Sequence, residues 1–212
     1  MNPPAVTYTL EEFQAMEAIQ RRIPGWSGMP QYAFFKTMLA AHPRLETMLI
    51  LGVYHGRDIA FILDILARHH AGRLVQIVGV DRFSDQPCAD WPRWATSWEM
   101  LTKGMPAPNL TAATENVRAP NVTLVQSDDA AFLDKTDLRF GAVYLDTSHD
   151  YGSVKGLFGK VRRVCTDNAI ICGDDFSNAN GWGVKTAVEE SFTSFELLGN
   201  WIWYSDLARL KA

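Results

Sequence analysis

The stretch Thr47-Met-Leu-Ile-Leu-Gly-Val-Tyr-His-Gly56 decides how the rest of the sequence is interpreted. Its first five residues form a continuous apolar run, which is typical of a buried strand. Glycines follow at positions 52 and 56, and residues 58–70 have the pattern of a helix. A strand, a glycine loop and a helix in this order predict the first unit of a sheet whose strands are connected by helices.

The same alternation continues to the end of the chain. Further apolar runs predict strands at 74–80, 122–126, 142–145 and 169–172, and two final β-type runs at 195–198 and 201–204. Helices are predicted at 9–21, 30–42, 58–70, 129–134, 154–164 and 183–195. The pattern therefore predicts one α/β domain over residues 1–212, with helices within residues 1–44 and a doubly wound, mostly parallel sheet after them. Ligands of such a sheet bind at the carboxyl ends of its strands.

One connection does not fit the alternation. Residues 83–108 are long for a loop and rich in tryptophan (Trp91, Trp94 and Trp98). A connection of this length in a compact domain usually has a function, and this one leaves the sheet at the carboxyl end of a strand. We expect it to form a lid or part of a substrate pocket, and the alternative is that its tryptophans pack in the core or at a dimer contact.

Composition and charge narrow the class of protein. Apolar residues make up 47%, charged residues 21%, and the formal net charge is −4 without any run of Lys or Arg. We therefore expect neither nucleic acid nor a membrane among the partners. Three scattered cysteines do not form a disulfide framework, and Cys165 and Cys172 are predicted to be buried thiols. This usage and the absence of a recognisable signal peptide predict a cytoplasmic location.

The glycine loop and the end of the second strand form a candidate nucleotide site. Gly52 and Gly56 let the backbone approach a ligand, and Asp81, at the tip of the second strand, can hold the hydroxyls of a ribose. The loop lacks the fuller G-x-G-x-x-G pattern, which disfavours a dinucleotide. Ser127 and Asp128 are placed to meet an adenine amino group, and the alternative is that they cap the next helix.

Acidic residues follow two later strands. Asp146 comes after the run at 142–145, Asp174 and Asp175 after the run at 169–172, and His149 lies close behind Asp146. If these strands are neighbours, the three carboxylates share one crevice and need a cation or a proton to offset their repulsion. We therefore predict a site for Mg²⁺ or another divalent cation, with His149 near it. The alternatives are helix capping for the acids and an ordinary turn histidine.

These stretches together resemble a known family. Leu51-Gly-Val-Tyr-His-Gly-Arg, Val80-Asp81, Tyr144-Leu-Asp-Thr-Ser-His-Asp-Tyr151 and Gly173-Asp-Asp-Phe176 are similar to class I S-adenosylmethionine-dependent methyltransferases. The similarity is greater to the metal-dependent branch, which includes macrocin-type sugar O-methyltransferases and cephalosporin-biosynthesis methyltransferase-like proteins. The resemblance implies a Rossmann-like, seven-stranded sheet with an antiparallel last strand. One departure is Ile50, because the family usually has an acid there that helps hold the amino-acid end of the cofactor.

The resemblance also implies roles for individual residues. Asp146, Asp174 and Asp175 would hold Mg²⁺, and His149 would be the catalytic base. Cofactor contacts are predicted from Gly52, Val53, Tyr54, Gly56, Asp81, Arg82, Ser127, Asp128 and Asp146.

The predicted function is transfer of a methyl group from S-adenosylmethionine to a hydroxyl of a small metabolite, such as a natural-product sugar or a catechol-like ring. Two alternatives remain at this stage, a repurposed binding protein that has lost methyl transfer and a nicotinamide-dependent oxidoreductase. Ile50 supports the first of these. The number of aromatic residues is compatible with a homodimer.

Overall fold

The chain forms a seven-stranded sheet with helices on both faces. The computed structural model describes residues 8–86 and 95–211. The strand order is β3-β2-β1-β4-β5-β7-β6. The strands are β1 (Thr47–Leu51), β2 (Gln76–Asp81), β3 (Val122–Gln126), β4 (Phe140–Leu145), β5 (Cys165–Gly173), β6 (Glu196–Leu198) and β7 (Ile202–Asp206). Strands β1 to β5 pair in parallel, and β7 runs antiparallel to both of its neighbours. The predicted Rossmann-like fold, with its antiparallel last strand, is confirmed.

Two layers of helices cover this sheet. The helices of the described residues are α1 (Leu10–Arg22), α2 (Met29–Ala41), α3 (Arg57–His69), α4 (Trp98–Thr102), α5 (Leu110–Asn116), α6 (Asp129–Lys135), α7 (Tyr151–Val164) and α8 (Val184–Ser191). One apolar core joins α1, α2 and α3 to one face of the sheet, and a second core joins α6, α7 and α8 to the other. Side chains alternate between the two cores along each central strand, so that Ile50 and Tyr144 face α2 and α3 whereas Leu51 and Leu145 face α7 and α8.

Two of the predicted boundaries differ from the structure by four residues, and the other differences are smaller. The last helix was predicted to reach residue 195, but α8 ends at Ser191 because Phe192 leaves the helix and pairs with Leu210. Strand β5 begins at Cys165, earlier than predicted, since it continues directly from the end of α7. Two short helices were not predicted: α4, which lies within the excursion, and α5, which follows it. Trp91, Trp94 and Cys88 lie outside the described residues.

No helix within residues 8–86 and 95–211 combines the length and the apolar composition needed to cross a bilayer. Cys165 and Cys172 are buried free thiols, as predicted.

Candidate functional site

The carboxyl ends of β1, β4 and β5 lie side by side. Leu145 pairs with Leu51 on one side and with Gly173 on the other. The backbone ladder continues for one more residue, because Asp146 N donates to Leu51 O at 2.8 Å and Asp174 N donates to Leu145 O at 3.1 Å. The strand ends thus bring the acids that follow β4 and β5 to one edge of the sheet.

Gly52 is required by this close approach. Its φ is +88°, and a Cβ at this position would lie 1.7 Å from the Asp146 carbonyl oxygen. Only glycine adopts this conformation without strain and leaves room for the neighbouring chain. The first glycine of the loop is therefore explained by the contact between β1 and β4.

Three of the predicted site residues gather at this edge. Potential ligand atoms of Asp146, His149 and Asp175 all lie within 4.8 Å of one another. His149 Nε2 is 2.7 Å from Asp175 Oδ2. Asp175 has a φ of 56°, a left-handed conformation that is uncommon for residues other than glycine. The arrangement has the donor types and the size of a small cation site.

Asp174 is turned towards the other side of the strand end. Its Oδ2 accepts a 2.6 Å hydrogen bond from Gln31 Nε2, and its Oδ1 accepts one of 2.8 Å from the backbone N–H of Asp175. Gln31 lies in the first turn of α2 and also accepts from Gly28 N at 2.7 Å. Asp174 therefore lies next to Asp146, His149 and Asp175, but its side chain is hydrogen-bonded to Gln31 of α2.

Electrostatic repulsion is concentrated in this cluster. Desolvation raises the pKa of Asp146 well above its usual value, and the charges of Asp174, Asp58 and Asp175 raise it further. The pKa of Asp174 is also raised, first by desolvation and then by Asp175, against the lowering effect of the Gln31 hydrogen bond. A cation bound among these carboxylates would offset both effects.

His149 contacts Trp182, an aromatic residue for which the sequence indicated no function. The Trp182 ring stacks on the imidazole with a centroid distance of 4.6 Å and an interplanar angle of 19°. The carbonyl of His149 accepts a 2.7 Å hydrogen bond from Gly183 N. These contacts, together with Asp175, fix the imidazole beside the acids.

Asp81 organises the glycine loop. Its Oδ2 accepts hydrogen bonds from the backbone N–H groups of Val53 at 2.9 Å and Tyr54 at 2.8 Å. Its Oδ1 accepts from Phe83 N at 2.7 Å. A carboxylate offers about four lone-pair positions, so one position on Oδ1 remains for a ligand hydroxyl.

The polar groups predicted to contact the cofactor at the ends of β2 and β3 already form hydrogen bonds within the protein. Asp128 caps α6 by accepting from Ala131 N at 3.0 Å, which is the alternative role considered for it. Ser127 Oγ donates to the Asp128 carbonyl at 2.9 Å, and the Arg82 carbonyl accepts from Gln126 Nε2 at 3.0 Å. Cofactor contacts of Ser127, Asp128 and Arg82 stay predictions.

The described part of the excursion packs on the glycine loop. The Trp98 ring stacks on Tyr54 at 5.6 Å, and Trp26, which is 64% exposed, adds a ring 5.1 Å from Tyr54. Tyr54 Oη donates to Pro106 O at 2.5 Å, and His55 Nε2 is 3.0 Å from Ala107 O. A loop histidine such as His55 is expected at the surface, but this contact buries it. The lid role of residues 83–108 stays a prediction, but residues 95–107 lie beside the loop that it would cover.

Asp58 was not predicted as a site residue. It lies in the first turn of α3, directly after the glycine loop, and is only 8% exposed. Desolvation raises its pKa to about 7, and the Asp174 charge adds to this, while a hydrogen bond from Ser27 and the Arg57 charge lower it. An acid in the first turn of a helix is ordinary in a sequence, so only the fold reveals that this one is buried beside the acidic cluster.

Comparisons with known proteins agree with this fold. The model of one protein family, described as a methyltransferase domain, matches residues 49–176. No curated protein sequence gives a significant match.

Solved structures with the same fold cover almost the whole chain. The O-methyltransferase NovP has a TM-score of 0.69 at 13% identity, covering 95% of this chain and 97% of that one. The calicheamicin methyltransferase CalS11 has a TM-score of 0.60 at 15% identity, covering 95% and 94%. An O-methyltransferase from Bacillus cereus, in complex with SAH, has a TM-score of 0.56 at 12% identity, covering 95% and 92%.

Proposed function

Because the chain belongs to the methyltransferase-domain family, we propose that it transfers a methyl group from S-adenosylmethionine to a hydroxyl oxygen of a small molecule, assisted by a divalent cation. The family match confirms the class of enzyme predicted from the sequence, a methyltransferase. The observation that carries the finer proposal is the convergence of Asp146, His149 and Asp175 at the strand ends, next to the glycine loop. There, an acceptor hydroxyl can meet a methyl donor.

We place the cofactor along the tips of β2, β1 and β4. The remaining lone pair of Asp81 suits a ribose hydroxyl, and the backbone of the glycine loop from Gly52 to Gly56 lies beside it. The Bacillus cereus O-methyltransferase with the same fold is described in complex with SAH, which supports this cofactor here. When bound, the cofactor supplies the methyl group of its sulfonium.

The donor set fits a hard divalent cation such as Mg²⁺. Asp146 and Asp175 would hold the cation with their carboxylate oxygens, and Asp174 lies next to them with further lone pairs on both oxygens. A cation held there would favour ionisation of a bound hydroxyl. Imidazole is a less preferred ligand for Mg²⁺, so we assign His149 to the base rather than to the metal.

His149 is arranged to take a proton. The Asp175 carboxylate accepts from Nε2 at 2.7 Å, which favours the tautomer whose basic nitrogen is Nδ1. The acceptor hydroxyl would lose its proton to Nδ1, and Trp182 would keep the imidazole ring in place during the transfer. Asp175 also stabilises the imidazolium that forms.

The acceptor is proposed to be a natural-product sugar or a catechol-like ring. CalS11, which has the same fold, is described as a calicheamicin methyltransferase, and this supports a natural-product acceptor. The exposed Trp26 ring and the Trp98 ring beside Tyr54 offer a flat apolar surface to a sugar or aromatic ring. The predicted lid role of the excursion belongs to this proposal, as do a cytoplasmic location and a homodimer.

The test separates the base from the metal ligands. Mg²⁺ binding is measured by calorimetry, and S-adenosylhomocysteine binding is measured in parallel, in the parent and in His149→Ala and Asp175→Ala. We expect Asp175→Ala to lose Mg²⁺ affinity by at least about 10-fold, because a hard cation loses a carboxylate. His149→Ala should keep it, and both variants should lose methyl transfer to a catechol or sugar acceptor. Asp134→Ala, which removes an exposed carboxylate paired with Lys160, is the matched control.

Other outcomes would change the assignment. Loss of metal affinity in His149→Ala would show that the imidazole is a metal ligand, and it would favour a softer cation than Mg²⁺. The geometry also permits this, because the potential ligand atoms of His149, Asp146 and Asp175 lie within 4.8 Å of one another. Unchanged metal binding by Asp175→Ala would remove the metal site. A rise in melting temperature with NAD but not with S-adenosylmethionine would favour the oxidoreductase alternative, and cofactor binding without turnover would favour a repurposed binding protein.

A further inference from the structure

Four polar side chains come together between α2, α3 and the ends of β4 and β5. We call this group the Asp58 pocket and define it by Asp58, Tyr144, Asp174 and Gln31. Asp58 Oδ1 and Tyr144 Oη are both buried, and neither has a hydrogen-bond partner within the part of the chain that the structure describes. A buried polar atom without a partner costs about 1–3 kcal/mol. Two such atoms in one pocket indicate that a polar ligand group completes it.

The residues of the pocket face one another. Tyr144 is on the α2 and α3 face of β4, where its ring packs against Phe35 at 5.0 Å. Burial raises the pKa of the Tyr144 hydroxyl well above its usual value, and the nearby charges of Asp58, Asp174 and Asp146 raise it further. The Gln31 amide closes the pocket by donating to Asp174.

The pocket is anionic, and the nearby guanidinium of Arg57 forms its hydrogen bonds with backbone carbonyls rather than with Asp58. Arg57, which precedes Asp58 in α3, donates to the backbone carbonyls of Ile23, Ser27 and Gln20. None of the ion pairs found between residues 8–86 and 95–211 includes Asp58. Ile50, on the neighbouring strand and the same face, is fully buried and brings no charge. The missing group should therefore carry a positive charge.

The pocket suits an organic ammonium group better than a second metal ion. The compact group of Asp146, His149 and Asp175 already offers a metal site, and Asp58 is not part of that group. A cofactor whose ribose is held at Asp81 must extend from the tip of β2 past β1 to the tip of β4, which spans two strand spacings or about 10 Å. Its amino-acid end then reaches the region of Asp58. A primary ammonium group has three donors and no acceptor, and the two pocket atoms without a partner, a carboxylate oxygen and a hydroxyl oxygen, can both accept.

We propose that Asp58 binds the α-ammonium group of S-adenosylmethionine, with the Tyr144 hydroxyl as a second acceptor. This proposal rests on the proposed function, because it assumes that cofactor. Asp58 would then provide, from α3, an anionic partner for the amino-acid end of the cofactor. The adjacent strand β1 provides no such partner, because Ile50 is apolar. Asp58 is thus a cofactor-positioning residue that determines affinity for the amino-acid part and not for the nucleoside.

The experiment compares two probes that differ in this part. S-adenosylhomocysteine carries the ammonium group, and 5′-methylthioadenosine is the same nucleoside thioether without the amino acid. Calorimetry on the full chain gives the affinity of both probes for the parent, Asp58→Asn and Tyr144→Phe. We expect Asp58→Asn to weaken S-adenosylhomocysteine by about 10- to 100-fold, the range for a charged hydrogen bond, and to change 5′-methylthioadenosine by less than about twofold. Tyr144→Phe should weaken only S-adenosylhomocysteine, by about 3- to 10-fold.

Asp64→Asn is the matched control, since it makes the same change later in α3, where the carboxylate pairs with Arg68. It should leave both affinities unchanged. An equal loss of both probes in Asp58→Asn would show a general structural role and overturn the proposal, and so would unchanged S-adenosylhomocysteine binding. If the parent binds neither probe, the proposed function itself fails. Binding by the parent with no selective effect of Asp58→Asn overturns this inference alone.

Discussion

Replacing Asp58 by Asn should make the ligand-free protein more stable. The pKa of Asp58 is raised from 3.8 to about 7, because the carboxylate is desolvated and faces Asp174. A folded-state pKa above the unfolded value means that ionisation favours the unfolded chain, so stability is lost as the pH rises from 3.8 to about 7. At about 1.4 kcal/mol per unit, the loss approaches 4 kcal/mol above pH 7 and is about 2 kcal/mol at pH 5.

Asn has nearly the same shape and carries no charge. It keeps a partner for Ser27, loses the attraction of Arg57, and relieves the repulsion acting on Asp146 and Asp174. We therefore expect Asp58→Asn to increase the free energy of unfolding by about 2–4 kcal/mol near pH 8 and by about half as much near pH 5.

Urea unfolding in the presence of a chelator, at both pH values, measures this difference. Asp64→Asn should show no gain at either pH. The reasoning is refuted if Asp58→Asn destabilises the protein near pH 8, or if its gain is the same at the two pH values. A more stable variant that binds the cofactor less tightly would show that this carboxylate is retained for function.

Three further changes test other parts of the site. Gly52→Ala should lower the free energy of unfolding by roughly 3 kcal/mol or more, because its Cβ would lie 1.7 Å from the Asp146 carbonyl oxygen. Gly72 has a similar φ of +84° and open space around it, so Gly72→Ala should cost only about 1 kcal/mol. Equal losses for the two variants in thermal unfolding would contradict this. Thr147→Val removes the 2.5 Å hydrogen bond to Asp129, a half-buried acid whose pKa desolvation raises to about 7, and should raise that pKa further. The loss of about 1 kcal/mol should therefore appear in urea unfolding above pH 7 and shrink near pH 5, and a pH-independent loss would count against it. Tyr54→Phe removes the hydrogen bond to Pro106 O and should speed amide hydrogen exchange in residues 96–108. The free energy of unfolding should change by less than about 1 kcal/mol. Unchanged exchange in this segment would show that the ring contacts alone hold it.

The sequence predicted the fold well, because the features that encode it are local. The apolar run from Thr47 to Leu51 and the glycine loop after it reflect the burial of β1 and the approach of Asp146 to Gly52. The acids at the ends of β4 and β5 were identified for a similar reason, since parallel neighbours bring their carboxyl ends to one edge.

The parts of the site that the sequence did not reveal depend on contacts between distant segments. Gln31 reaches Asp174 across 143 positions of the chain, and nothing in the first turn of α2 indicates this contact. His55 is buried, and its Nε2 contacts the backbone carbonyl of Ala107 in the excursion, although a histidine in a loop is usually exposed. Trp182 carries no functional signal in the sequence, and its stacking on His149 follows from the path of the chain between β5 and α8.

The contact between the excursion and the glycine loop links two tasks that are often separable in enzymes. In the proposed function, Tyr54 and His55 belong to the loop beside the methyl donor. They are hydrogen-bonded to Pro106 and Ala107, in the segment proposed to meet the acceptor. Substitutions that reshape residues 95–107 for a new acceptor will therefore also move the loop beside the donor. Adaptation to new acceptors should be easier through Trp26, whose ring contacts Tyr54 but which forms no hydrogen bond to Tyr54 or His55 among the described residues.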